Sequence, residues 1–170
     1  PFIDVNKLKK LFEDEYFDYL VIGPGEQALP ALLEVLEAKK EPRGIANVFY
    51  RKKGKVQAND FEIIEDLDSL PYPDFSQFYL PLYPAPERIL SLQTARGCSW
   101  ARCSFCSHHS IYLKKYRAQS IERLIDTVRH LQSAYNCSHF VFNDEELPPA
   151  RARAISKALV KDKVKNLSLA

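Results

Sequence analysis

Methionine is absent from these 170 residues, tryptophan occurs once, and glycine occurs only five times. Long apolar runs are missing too: "YLVIG" and "HFVF" are far too short to cross a bilayer, and no charged, apolar, small-residue leader opens the chain. Neither charge sign dominates, since the net charge is +2, which argues against nucleic acid or an acidic membrane as partner. Cysteine is scarce, with four residues, and a chain of this length can bury a core without disulfide staples. These absences point to a cytoplasmic globular protein. The missing methionine, even at the start, and an end in "NLSLA", which reads as the opening of a strand, suggest a piece of a larger protein.

What is present has an α/β pattern. Residues 5–15 could form a short polar helix, and "DYLVIG" reads as a buried strand bounded by glycine. After "GPGE" comes a helix with Leu29, Leu32, Leu33 and Leu36 at helical spacing. A Lys-Gly turn near residue 54 sits between alternating segments and predicts a hairpin. From 62 to 87 prolines at 71, 73, 81, 84 and 86 forbid regular ladders and favour an extended, ordered connector. We therefore divide the chain into an accessory α/β domain with a hairpin (1–61), a Pro-rich linker (62–87) and a second domain (88–170).

In that second domain "RILSLQT" is a strand. Ser120 is the expected N-cap of a helix with an apolar stripe of Ile121, Leu124, Ile125, Val128 and Leu131. "HFVF" is the next strand, Pro148 and Pro149 open another helix, and "NLSLA" is a third strand. Strands alternating with helices over short connections predict a parallel sheet.

Three of the four cysteines, Cys98, Cys103 and Cys106, fall in "RGCSWARCSFC", directly after the first of those strands. Such spacing suits one inorganic centre. A structural zinc would need a fourth ligand, for which His108, His109 or Cys137 are available, and would make the chain a zinc-binding interaction module. A 4Fe-4S cluster takes one ligand per iron, so three thiolates leave one iron open. A bland third reading is a scaffold fragment whose loop is disordered without its cofactor. The loop leaves the C-terminal end of a strand in a parallel sheet, where α/β folds build their sites, and that position favours the cluster. Asn143, Asp144 and Glu145 follow the next strand and should face the same rim, where carboxylates could bind a cationic amino group.

"RGCSWARCSFC", followed by a helix and "FVFNDEE", resembles the start of a radical S-adenosylmethionine enzyme, whose usual motif is C-x3-C-x2-C. The first spacing here is longer by one residue. The resemblance implies that Cys98, Cys103 and Cys106 hold a 4Fe-4S cluster whose open iron takes S-adenosylmethionine. One electron then gives a 5'-deoxyadenosyl radical that abstracts hydrogen from a substrate, small molecule or peptide. It further implies cofactor contacts at Phe105, Asp144 and Glu145, and a reductant such as flavodoxin or ferredoxin. "DYLVIGPGEQALPALLEVL" through "DLDSLPYPDF" looks like the segment joining a cobalamin-binding domain to the radical domain in one branch of that superfamily, with Gly23, Gly25 and Glu26 in its glycine-acid turn. The first histidine is His108, so either the start of the domain, with its cobalt-ligating histidine and cobalamin, belongs to the full-length protein, or this member lacks cobalamin. The expected fold is the tail of an open, Rossmann-like α/β domain followed by the first βα units of a partial TIM-type barrel. Such a barrel needs about twice the strands available here, so the fragment is expected to be inactive alone.

The weaker signals have plainer readings. Gly23, Gly25 and Ala28 outline a dinucleotide fingerprint, but Glu26 would face the pyrophosphate, and a tight turn is the better reading. Cys137 is expected in the core, and "RKKGK" at a solvated hairpin tip. Trp100 would either cover the cluster or fill a gap. Arg151, Arg153, Lys157 and Lys161 are expected along the outer face of a helix.

Overall fold

The computed structural model describes residues 17–83, 87–106, 115–164 and 167–169. The helix expected at 5–15 lies outside the described residues, as do His108 and His109. Two compact units are present, one ending at Glu65 and the other beginning at Asp66.

In the first unit β1 (Tyr19–Val21) leads through a turn into α1 (Ala28–Glu37), and then into β2 (Val48–Lys52) and β3 (Lys55–Ala58). The strand order is β1-β2-β3, and both pairings are antiparallel. A Rossmann-like sheet requires parallel pairs, and the described part of this unit has none. The dinucleotide reading loses its βαβ setting for the same reason. Gly23 adopts a φ of +82°, and a Cβ there would meet the Phe61 ring at 2.6 Å, so turn geometry and close packing both require glycine. Lys53 and Gly54 have φ of 48° and 75°, the signature of a two-residue type I′ hairpin turn, and residues 52–55 at this tip are exposed. Of the leucines spaced along α1, Leu32 is buried but Leu29 and Leu33 are exposed.

Buried Asn47 ties this unit's irregular backbone. Its side-chain amide donates to the Pro24 and Glu62 carbonyls at 3.2 and 2.9 Å, and its Oδ1 accepts the Glu62 amide at 2.8 Å. Three loop groups that the short strands leave unpaired are satisfied by one residue.

The second unit is built on a parallel sheet of β4 (Ile89–Leu92), β7 (His139–Phe142) and β8 (Ser168–Leu169), in that order. Helices α2 (Ile121–Tyr135) and α3 (Pro149–Lys161) connect the strands. Ser120 caps α2 by accepting the Arg123 amide at 3.0 Å, and Asn136 ends it in the left-handed conformation. Leu124, Ile125, Val128 and Leu131 are buried against Leu90, Leu92, Phe140 and Ile155. Each such side chain contributes about 1.5–3 kcal/mol relative to exposure. Cys137 lies in this core, with its thiol within reach of the Arg88 and His139 carbonyls. No helix among the described residues is long and apolar enough to cross a membrane.

The proline-rich stretch is fastened along α2. Asp68 accepts the Ser120 amide at 2.9 Å, and Arg123 donates to the Leu70 carbonyl at 2.6 Å. The Arg123 guanidinium lies 3.8 Å from the Tyr72 ring centroid, and the His130 ring stacks on Tyr72 at 4.5 Å. Further on, the Tyr135 hydroxyl donates to Asp74 at 2.7 Å and accepts the Phe75 amide at 2.8 Å. Proline removes the donors a ladder needs, so side chains of α2 hold this segment instead.

Candidate functional site

β4 and β7 pair in parallel with Leu92 opposite Phe142, and the Asn143 amide donates to the Leu92 carbonyl at 2.8 Å. The chain therefore leaves both strands at the same rim. From β4 it runs through Thr94 into β5 (Ala95–Arg96), which pairs antiparallel with β6 (Arg117–Ala118). The Gln119 amide closes this pair onto the Thr94 carbonyl at 3.0 Å. Both ends of the cysteine loop are thus tied together at its root.

The Thr94, Ala95, Gly97 and Ser99 amides lie beyond the parallel sheet and need other acceptors. The acidic run beyond β7 supplies them. Asp144 Oδ1 accepts the Thr94 and Ala95 amides at 2.6 and 3.0 Å, and Oδ2 accepts the Thr94 hydroxyl at 2.5 Å. Glu145 accepts the Gly97 amide at 3.2 Å. Glu146 accepts the Ser99 amide at 2.6 Å and its hydroxyl at 2.8 and 2.9 Å. The Ser99 amide, then its hydroxyl, and to a smaller extent the Cys98 thiol, hold the Glu146 carboxyl below the ordinary carboxylate range.

Thr94 is fully buried and serves as the hub. Arg151, in the first turn of α3, donates to the Thr94 carbonyl at 2.9 Å and reaches its hydroxyl at 3.3 Å. The outer-face expectation for Arg151 is therefore corrected, because the parallel crossover turns this first-turn residue over the end of β4. Arg153, Lys157 and Lys161 are exposed as expected. Beside this root the buried Tyr116 hydroxyl has no hydrogen-bond partner among the described residues, and burial raises its phenol above the usual range.

Cys98, Cys103 and Cys106 are free, half-buried thiols on the loop so anchored. Gly97 precedes the first with a φ of +84°, and a turn closed by the Cys106 amide on the Cys103 carbonyl at 3.3 Å joins the other two. Among the described residues no three His, Cys, Asp or Glu side chains are gathered around a single metal position. The donor chemistry, three thiols with no interleaved carboxylate, fits an iron-sulfur cluster, in which each thiolate binds a different iron. Phe105 is 90% exposed beside Cys106. Trp100 is 61% exposed and fills no gap; the Arg102 guanidinium lies 5.4 Å from its ring centroid.

Sequence reasoning placed Asp144 and Glu145 at this rim but missed Glu146, Thr94 and Arg151. The available signal was the unbroken run of three carboxylates beside a segment whose amides have left a strand.

No family model matches the chain. It is 29% identical over 144 residues to an uncharacterized methyltransferase of Pyrococcus horikoshii, covering 84% of this chain and 31% of that protein. It is 22% identical over 171 aligned positions to the cytidylyl-2-hydroxyethylphosphonate methyltransferase of Streptomyces wedmorensis, covering 82% and 32%. A third relative is the hopanoid C-3 methylase of Methylococcus capsulatus, 29% identical over 120 residues and covering 68% and 22%. Among solved structures, the radical S-adenosylmethionine methyltransferase TsrM from Kitasatospora setae aligns with a TM-score of 0.72 at 20% identity, over 94% of this chain and 33% of that one. The cobalamin-dependent S-adenosylmethionine radical enzyme OxsB aligns at 0.69 and 24% identity, over 95% and 24%. The chain shares their mixed α/β fold. It spans about a third of the length of the first two curated relatives.

Proposed function

We propose that the chain is the central part of a radical S-adenosylmethionine methyltransferase. The first unit would be the end of a cobalamin-binding-type domain, and the second would carry the cluster loop and the opening βα units of a radical barrel. The observation that carries this reading is the shared rim: parallel β4 and β7 deliver a loop with three free thiols and a run of three carboxylates side by side. The methyltransferase relatives, and the fold held in common with TsrM and OxsB, support it.

In this reading Cys98, Cys103 and Cys106 hold a 4Fe-4S cluster, which when bound supplies the electron for reductive cleavage of S-adenosylmethionine. The residues of this chain orient and shield that centre. The β5–β6 pair and the Asp144–Thr94–Arg151 contacts fix the loop's root, and Phe105 offers an apolar surface to the adenine. In the full-length protein cobalamin would supply methyl-transfer chemistry, and a reductant such as flavodoxin or ferredoxin would supply the electron.

The test is metal content after anaerobic loading with iron and sulfide. The unmodified chain is expected to retain about four irons and four sulfides. Cys98→Ala, Cys103→Ala and Cys106→Ala should each lose most of them, whereas Cys137→Ala should not. A colourless chain holding one zinc through the same cysteines would replace this reading with the zinc module.

A further inference from the structure

Glu146 lies outside the residues expected to touch a cofactor, yet it makes the most direct contact between the acidic run and the cysteine motif. Its Oε2 accepts the Ser99 amide at 2.6 Å, and both its oxygens reach the Ser99 hydroxyl. The residue before Cys98 is fixed as well, because Gly97 takes a left-handed φ and gives its amide to Glu145. Cys98 is thereby held between two adjacent carboxylates, each binding one of its chain neighbours. Among the described residues no carboxylate of the acidic run is bonded to Cys103 or Cys106, and the described backbone bond between them is internal to their own turn.

We infer that Glu146 is a positioning residue for Cys98: by binding the Ser99 amide and hydroxyl it sets the direction in which the first thiolate of the motif faces the metal centre. The inference rests on the cluster reading of the loop. It gives the last carboxylate of the run a role through the protein backbone, distinct from contact with a bound cofactor. A carboxylate bound to an amide and a hydroxyl of one residue fixes both its backbone and its side chain, which a single contact would not. Outer partners that orient a metal ligand in this way typically change metal affinity about 10- to 100-fold when removed.

Two measurements on the 170-residue chain test this, using Glu146→Ala and Glu146→Gln. In the metal-free chain, amide hydrogen exchange at Ser99 should rise about tenfold in Glu146→Ala and largely recover in Glu146→Gln, because the Gln carbonyl still accepts. After anaerobic loading, Glu146→Ala should release iron to a chelator about 10- to 100-fold faster. Glu146→Gln should stay close to the unmodified chain, and both should show the same melting transition. The fraction that keeps its cluster should still change its electron paramagnetic resonance spectrum on adding S-adenosylmethionine. Unchanged Ser99 exchange and iron retention in Glu146→Ala would overturn the inference. So would a Glu146→Gln chain that keeps its iron but no longer responds to S-adenosylmethionine, since that marks a cofactor contact. If the unmodified chain takes up no iron, the cluster reading fails, and the role assigned toward a metal fails with it. The Ser99 exchange result separates that case from failure of the Glu146 contact itself.

Discussion

Both carboxylate oxygens of Asp144 are bound to Thr94, one to its amide at 2.6 Å and the other to its hydroxyl at 2.5 Å. One residue at the end of β7 therefore fixes one residue at the end of β4, and the loop that follows inherits its direction. Thr94→Val keeps the shape and removes the hydroxyl, leaving Asp144 and Arg151 each short of a partner. We expect a loss of about 1–3 kcal/mol, read as a lower denaturant midpoint at unchanged slope.

Two tyrosines of the second unit should respond in opposite ways to loss of their hydroxyl. Tyr135 bridges Asp74 and the Phe75 amide, so Tyr135→Phe should lower the melting temperature. The buried Tyr116 hydroxyl has no partner among the described residues, so Tyr116→Phe should leave stability equal or higher. Thermal melts of the two variants side by side check this.

The Asp74 carboxyl is held below its ordinary value of 3.8 by the Ser76 amide first and then by the Tyr135 hydroxyl. A depressed folded-state value means the group binds protons more readily when unfolded. Its stabilising effect is therefore present above the unfolded value and is lost as pH falls through the folded one. Tyr135→Phe should move the Asp74 titration upward, toward its ordinary value, in a carboxyl-detected NMR titration. An unmoved titration would contradict the hydroxyl's part in the shift.

Gly97 has a φ of +84° directly before Cys98, a conformation that strains a residue with a Cβ. Gly97→Ala should cost about 1–2 kcal/mol locally and reduce iron retained after loading, with little change in far-ultraviolet circular dichroism.

Periodicity made α2 and its core stripe legible, because Leu124, Ile125, Val128 and Leu131 repeat at helical spacing and Ser120 supplies a cap. The strands "RILSLQT" and "HFVF" were equally clear, and their parallel pairing followed from the helix between them. The Lys53-Gly54 turn announced the hairpin. Other features depend on contacts between residues distant in sequence. The prolines marked an extended segment, but its attachment to α2 joins residues 50 or more positions apart, as in Asp68 to Ser120 and Asp74 to Tyr135. Antiparallel pairing of β1 with β2 was hidden for a similar reason, since a strand, turn and helix look alike at the start of parallel and antiparallel units. Arg151 read as a solvated helix residue because helical spacing does not reveal that a first-turn side chain reaches over the end of a neighbouring strand. At the candidate site the thiols were legible from spacing alone, while the ladder from Asp144 to Glu146 needed the register of β4 on β7.

The central claim is that Cys98, Cys103 and Cys106 hold a 4Fe-4S cluster with one iron left for S-adenosylmethionine. Electron paramagnetic resonance of the loaded, reduced chain, recorded with and without S-adenosylmethionine, tests it most directly. The account predicts a reduced-cluster signal that changes shape when S-adenosylmethionine is added and is lost in Cys98→Ala. A cluster signal indifferent to S-adenosylmethionine, or a chain that binds only zinc through these thiols, would contradict it.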